Sequence, residues 1–589
     1  MAQQFRRPAA IMLALALLVW VMAGCVSVPT SGKVEPVDQG PQVNDAKPET
    51  VPKPPAKDAS PRKIVDGFLF ATSRYQNNYQ IAREYLTADA REGWRPEDKT
   101  TIYTNPTYES SDTNVTLTLS LVGEVAADGS YQAMSGTRVH DFAMRQDDQG
   151  QWRISNPPKG VLISDTSFSA NYASFNLYFF DPQFNSLVPD PIYLPTGGQT
   201  ATALVSALLR GPTGWLQPAV STAFPARTSL VGNSVPIEGD HAHISLSPEV
   251  LALNDQQRIR MTSQLAWTLA QIEDSPLTGL ELTVNGERFR VPRQIGEGQG
   301  AYVPMNYGAE FAPVAAEQSS SLIGVSDGAV VMVDNDGAQL TPISGRLGVR
   351  NYDIGSLGLS TDGEVAAAVT DSRTTLRSQG IDDETPRTML YDEQQLLRPE
   401  YTRYEELWAI SGSGTKQEVL RIRDLRSKSV NVPWLDEVHI RAFQISPDGS
   451  RMAMIIERGE KQQLALAPIL RGEEISLGEL RTVELVDVAS ASVQRIADLG
   501  WISPTRLLIL GASGEGASFE PYGVEIDGSQ FERIGTSNSW GATSLATQVE
   551  AGGSFQAVVA GRGGRSWIYR SGDQWELLSE NLHYPAFAG

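Results

Sequence analysis

Two segments in the C-terminal half share one pattern. Leu359-Ser360-Thr361-Asp362-Gly363-Glu364-Val365-Ala366-Ala367-Ala368 and Ile445-Ser446-Pro447-Asp448-Gly449-Ser450-Arg451-Met452-Ala453-Met454 each read as an apolar strand, a Ser-x-Asp-Gly turn and a second apolar strand. Weaker copies start near Val325-Ser326-Asp327-Gly328 and Trp501-Ile502-Ser503-Pro504. One without the turn motif starts near Leu407-Trp408-Ala409, and Gly541–Val559 reads as the last. Asp-Gly supplies positive φ in a two-residue hairpin turn, so the repeated aspartate reads as a turn former and not as a catalytic group. Copies roughly 40–50 residues apart fit propeller blades of four strands. Residues 316–589 then form a β-propeller of five to seven blades, six being favoured; a pair of two-sheet sandwiches is the alternative.

The chain ahead of this region is patterned differently. Ile64, Phe68 and Thr72 share one side of a helix expected over 64–76, and a second helical stretch is expected from Tyr79 to Leu86. The period then changes to two: Val115, Leu117, Leu119 and Leu121 alternate with polar residues, His140, Phe142 and Met144 form a further set, and Trp152 and Ile154 precede a stop at Pro157-Pro158. Helices followed by antiparallel strands make residues 62–170 an α+β unit. It is similar to the nuclear transport factor two-like fold, a cone of helices on a curved sheet that can hold a pocket.

Residues 171–300 read as β-α-β-α-β. Phe175, Leu177 and Phe179 alternate; Thr200 can cap a helix carrying Leu204 and Leu208 and stopped at Gly211-Pro212. Ala242, Ile244 and Leu246 alternate, Met261, Leu265, Leu269 and Ile272 stripe a helix over 254–272, and Leu280, Leu282 and Val284 precede the turn Asn285-Gly286. This α/β order, with Leu209-Arg210-Gly211-Pro212, Ile244-Ser245-Leu246-Ser247 and Leu282-Thr283-Val284-Asn285-Gly286, resembles the GerMN domain, which implies a binding or assembly module without known catalysis. Residues 301–315 are expected to be a linker.

At the N-terminus Arg6 and Arg7 precede an apolar run, Ala9 to Gly24, that is short for a spanning helix and ends in small residues before Cys25, the one cysteine. Residues 1–24 read as a secretory signal, cleaved between Gly24 and Cys25. Cys25 has no partner thiol and reads as the acceptor of lipid. Met22-Ala23-Gly24-Cys25 resembles the bacterial lipobox, with Met22 where Leu is preferred. The resemblance implies S-diacylglycerol and N-acyl (palmitate-type) chains on Cys25; the alternative is an uncleaved membrane anchor. Residues 25–61 are proline-rich and expected to form an extended tether.

Lys+Arg total 48 against Asp+Glu 69, a net charge of −21, which argues against nucleic acid as a partner. A single cysteine excludes cysteine-ligated zinc, iron–sulfur clusters and an internal disulfide. His140 and Asp141 are adjacent on a strand and face opposite ways. His241 and His243 share a strand face but have no third ligand nearby and read as surface residues. Gly296–Gly300 lacks the spacing of a phosphate loop. Gly324-Val325-Ser326-Asp327-Gly328 matches G-x-S-x-G but leads into a strand, not a helix. Asp382-Asp383-Glu384 and Glu405-Glu406 are acidic enough for a glycosidase pair but read as solvated surface. No catalytic, metal or cofactor-binding residue is expected.

The ordered set of lipobox, tether, α+β unit, GerMN-like unit and propeller resembles the LpqB lipoprotein family of actinobacteria. The resemblance implies a lipid-anchored protein on the extracytoplasmic face of the membrane. It implies a non-enzymatic accessory that contacts the extracytoplasmic domain of an MtrB-type sensor histidine kinase in an MtrA–MtrB two-component system. The alternative is a propeller that binds or hydrolyses glycan or peptidoglycan.

Overall fold

In the computed structural model the described residues are 51–589, except 75–76, 112, 198, 274–275, 298–300, 317, 335–338, 351–352, 486–492, 536–540 and 571–573. The signal segment, Gly24, Cys25 and most of the tether lie outside them. Residues 52–589 form one compact unit.

The tether's end does not stay extended away from the fold. Tyr85 Oη donates to Lys53 O at 2.8 Å, and the Asp58 N–H donates to Gln151 Oε1 at 2.7 Å. The first helix follows at once, Pro61–Ser73, with proline in its first turn and Ile64, Val65 and Phe68 buried. The second helical stretch is broken into Asn77–Tyr79 and Gln80–Glu84 because Asn78 and Tyr79 have positive φ. The helices pack on a five-stranded sheet built around the long antiparallel pair Lys99–Ser110 and Val115–Ala126. The proline stop after Ile154 ends one strand only. Val161–Ser164 follows and runs parallel to Thr100–Tyr103.

The second unit begins with an antiparallel ribbon, Tyr172–Phe180 against Leu187–Pro195. Its helix spans Thr200–Arg210, but Thr200 is the first helical residue and not the cap, and its hydroxyl donates to Gly197 O at 2.7 Å. The helix ends at Gly211, where φ is +103°. His241–Leu246 and Gly279–Val284 pair in parallel, joined by helix Asp255–Leu269, which the Asn254–Gln257 capping box starts. Asn285 and Gly286 both take positive φ and close the hairpin to Glu287–Arg288, as their sequence demands. Residues 301–315 are not a free linker. Val303–Pro304 pairs with Gly279–Leu280, and Val303, Tyr307 and Phe311 join the core of the second unit.

The rest is a β-propeller with six sheets among the described residues. The C-terminal strand His583–Phe587 supplies the inner edge of the first blade, pairing with Leu322–Ser326 and so joining the chain's end to the start of the ring. Second strands such as Arg451–Arg458 and Arg506–Ala512 are buried on both faces, since each blade is packed between neighbours; their sequences are continuous apolar runs and not alternating ones.

The repeated turns are wider than two residues. At Ser360–Glu364 and Ser446–Ser450 only the glycine has positive φ. The aspartate instead closes a local ring: Ser360 Oγ donates to Asp362 Oδ1 at 2.5 Å, and Ser446 Oγ to Asp448 Oδ1 at 2.8 Å. The Glu364 and Ser450 N–H groups donate to the same carboxylate oxygens. Asp327-Gly328 is the two-residue turn, both residues having positive φ, and it joins the middle strands of its blade. It is therefore not a copy of the other two, which join first to second strands.

Candidate functional site at the domain junction

The residues weighed from sequence for catalysis do not converge. His140 packs edge-on to Phe142 at 4.5 Å, its Nε2 lies 3.1 Å from Asn156 O, and burial holds its pKa below the usual value. His241 and His243 are not plain surface. Their rings flank Glu281, His241 Nδ1 at 3.3 Å and His243 Nδ1 at 3.7 Å, and Arg288 reaches the same carboxylate at 3.2 Å. No group of three or more His, Cys, Asp or Glu able to hold a metal occurs among the described residues. Ser326 ends a strand and its turn enters another strand, so the helix of a nucleophile elbow is missing there. Gly296–Gly300 falls partly outside the described residues. Asp382, Asp383 and Glu384 are exposed.

Glu406 was expected at the surface and is instead buried, because arginines from its own blade and the next one close over it. Arg421 Nη1 donates to Oε1 at 2.9 Å, Arg471 Nη1 to Oε2 at 3.0 Å, and Trp408 Nε1 to Oε2 at 3.3 Å. The Arg471 guanidinium lies 3.9 Å over the Tyr404 ring, and Tyr404 Oη donates to Asp181 of the second unit at 3.0 Å. An ion pair between two blades therefore also positions a contact between units.

The same logic holds at Asp448 and Arg451, both fully buried and ion-paired. Arg451 also donates to Pro189 O of the second unit and to Pro504 O of the next blade, each at 3.0 Å. Arg403 donates to Ser186 Oγ and Pro313 O, both at 2.7 Å, and Trp215 Nε1 donates to Glu479 O at 3.1 Å. The first unit joins at the fourth and fifth blades: Arg481 Nη2 of the fourth donates to Tyr131 O at 2.5 Å, and the Ala133 N–H donates to Asp527 O of the fifth at 3.1 Å. Most of these propeller groups lie on turns that join first to second or third to fourth strands, which place them at one face of the ring. Where the three units meet lies a cavity of about 880 Å³, lined by the first unit's sheet, the strands holding Tyr172 and Tyr193, and the propeller turn Gly528–Phe531.

Two carboxyls do approach each other in the central channel. Burial pushes Glu400 up to about 8; Arg398 pulls it down and the Asp498 charge pushes it up. Asp498 accepts from Arg398 at 3.0 Å. The cavities beside Glu400 hold about 40 and 20 Å³, room for about one water each and not for a sugar ring. Glu400 is protonated in the folded chain where an unfolded glutamate is ionised. Its contribution to stability is therefore full below pH about 4.5 and lost as pH rises through 8. The wild-type chain should lose on the order of 5 kcal/mol over that window from this group. Glu400→Gln should remove that part of the slope, as urea midpoints measured across pH would report.

Comparison with known proteins agrees with this architecture. The model of the lipoprotein LpqB N-terminal domain matches residues 54–169, that of the lipoprotein LpqB beta-propeller domain matches 328–588, and a sporulation and spore germination model matches 176–289. Lipoprotein LpqB of Cutibacterium acnes is 28% identical, covering 95% of this chain and 96% of that one. Lipoprotein LpqB of Streptomyces avermitilis is 27% identical over 97% and 96%. Among solved structures, TolB from Acinetobacter baumannii matches with a TM-score of 0.35 and 13% identity over 54% of this chain and 84% of that one. The first GerMN domain of GerM from Bacillus subtilis matches with a TM-score of 0.17 and 21% identity over 22% and 92%. Among the described residues no helix is long and apolar enough to cross a membrane. With its N-terminal unit and propeller both matched by LpqB models, and with LpqB relatives aligned along nearly its whole length, the chain belongs to the LpqB lipoprotein family.

Proposed function

We propose that the chain is a non-enzymatic accessory lipoprotein held by lipid on Cys25 at the extracytoplasmic face of the cell membrane. There it contacts the extracytoplasmic domain of an MtrB-type sensor histidine kinase and so influences cell-envelope and division signalling. The observation that carries this reading is the junction itself. Buried charges and backbone bonds hold the N-terminal and GerMN-like units to one face of the propeller. Such a body presents a fixed surface to a partner. Confinement to the membrane raises its local concentration, so a modest affinity suffices.

The test uses the full-length chain in its native membrane. The kinase should co-purify with it after mild cross-linking and detergent extraction. Cys25→Ser should release the chain from the membrane fraction and abolish co-purification, while a Cys25→Ser chain fused to an unrelated lipid anchor should restore it. Absence of the kinase from the cross-linked wild-type complex would overturn the reading.

A further inference from the structure

The cavity at the junction has a distinctive lining. Tyr131, Phe168, Tyr172 and Tyr193 form a continuous aromatic wall. Phe168 and Tyr172 have centroids 4.9 Å apart at 21°, Tyr131 and Phe168 6.3 Å at 28°, Phe168 and Tyr193 5.2 Å at 37°, and Tyr131 and Tyr193 5.2 Å at 43°. Stacked and tilted in this way, the rings pack on one another as one cluster, with Tyr131, Phe168 and Tyr193 buried and Tyr172 half-buried. Facing residues are neutral hydrogen-bonding groups, among them Asn105, Ser120, Thr137, Ser169 and Gln530. No Lys or Arg lines the cavity, and Asp165 is its one acid.

These features select a ligand class. The absence of cationic lining disfavours an anion such as a phosphate or a carboxylate. A quaternary ammonium calls for open ring faces boxed around one point, which rings stacked on one another do not provide. A purely apolar chain would leave the facing amide and hydroxyl groups without partners, at a cost for each. A flat molecule with one C–H face and a rim of hydroxyl or amide groups fits both walls. The volume, about 880 Å³, lies within the roughly 300–1,000 Å³ usual for small-molecule sites.

The walls are built and fixed. Tyr131 lies where only a glycine permits: a Cβ at Gly123 would meet its hydroxyl at 2.3 Å and its ring at 2.4 Å. At the propeller side Gly528 has φ of +88°, and a Cβ there would stand 2.6 Å from Ala133 Cβ. Tyr193 N–H donates to Gly129 O at 2.8 Å, which fixes the second unit against the first.

We propose that this cavity binds a neutral saccharide of about two rings, packed against the Tyr131–Phe168–Tyr172–Tyr193 cluster. A ligand there touches all three units, so its binding would also tighten the junction. The proposal does not rest on the kinase reading, and its test does not involve the kinase.

The test is calorimetric titration of the mature lipidated chain, in detergent, with N,N′-diacetylchitobiose and with cellobiose. Tetramethylammonium chloride and inorganic phosphate are run as charged probes. At least one disaccharide should bind saturably and the charged probes should not. Tyr172→Ala should weaken binding at least tenfold. Ser120→Phe, which fills the cavity from the sheet side, should do the same and serves if Tyr172→Ala does not fold. Tyr391→Ala, at an exposed propeller position, should leave affinity unchanged. Retention on insoluble cell-wall glycan would assign the source to the wall, and binding of free disaccharide alone would assign a diffusible sugar. Failure of both disaccharides at millimolar concentration, tighter binding of a charged probe, or binding indifferent to the folded cavity variant would overturn the proposal.

Discussion

Replacing Arg451 by methionine is expected to cost the folded chain about 3–5 kcal/mol, because it leaves the Asp448 carboxylate buried without its partner. Asp448 and Arg451 are both inaccessible to solvent. The remaining donors to Asp448 are the Ser446 hydroxyl and the Ser450 N–H, neither of them charged. The substitution also removes the two donors that reach Pro189 O and Pro504 O, so the second unit and the fifth blade lose a shared anchor. The double variant Arg451→Met with Asp448→Asn should recover much of the loss, since removing both charges removes the uncompensated one. Urea unfolding of the single and double variants checks this. A single variant within about 0.5 kcal/mol of wild type would contradict the ion pair's role.

Glu406→Ala should cost about 3 kcal/mol by the converse route, stranding cations in place of an anion. Arg471 is only 6% exposed and loses its carboxylate, whereas Arg421, 21% exposed, can turn toward water. The Arg471 guanidinium then keeps only the Tyr404 ring and two long bonds to Gly449 O, each 3.4 Å, and the Tyr404–Asp181 link to the second unit should loosen. Limited proteolysis near Asp181 should accelerate in step with the fall in urea midpoint. Loss of stability without that acceleration would confine the role of Glu406 to the propeller.

These two positions mark where the sequence was readable and where it was not. Local chemistry was legible. Asn285-Gly286 forms the turn its residues require, Ala242, Ile244 and Leu246 face the core, and Asn254 starts its helix. The repeated Ser-x-Asp-Gly located two inner turns of the propeller, although the aspartate works through its side chain and not through its backbone φ. What escaped was decided by distant partners. Val161–Ser164 is a strand because Thr100–Tyr103 lies beside it, and no local period announces a four-residue parallel strand. Leu187–Pro195 carries Pro189, Pro191 and Pro195, which discourage a strand reading, yet a two-stranded ribbon has edges that tolerate them. Glu406 looked solvated because Arg421 and Arg471, which bury it, are remote in sequence. The cavity could not be located from any one segment, since its wall takes rings from Tyr131, Phe168, Tyr172 and Tyr193 and its rim from Gly528–Phe531. The lipid-acceptor reading of Cys25 rests on the few residues before it and lies outside the described residues.

The most direct test of the accessory role is calorimetric titration of residues 26–589 against the extracytoplasmic domain of the sensor kinase. The account predicts saturable binding at micromolar affinity or better, weakened when the propeller is removed. No heat at high concentration of both components would contradict direct contact between the two soluble domains.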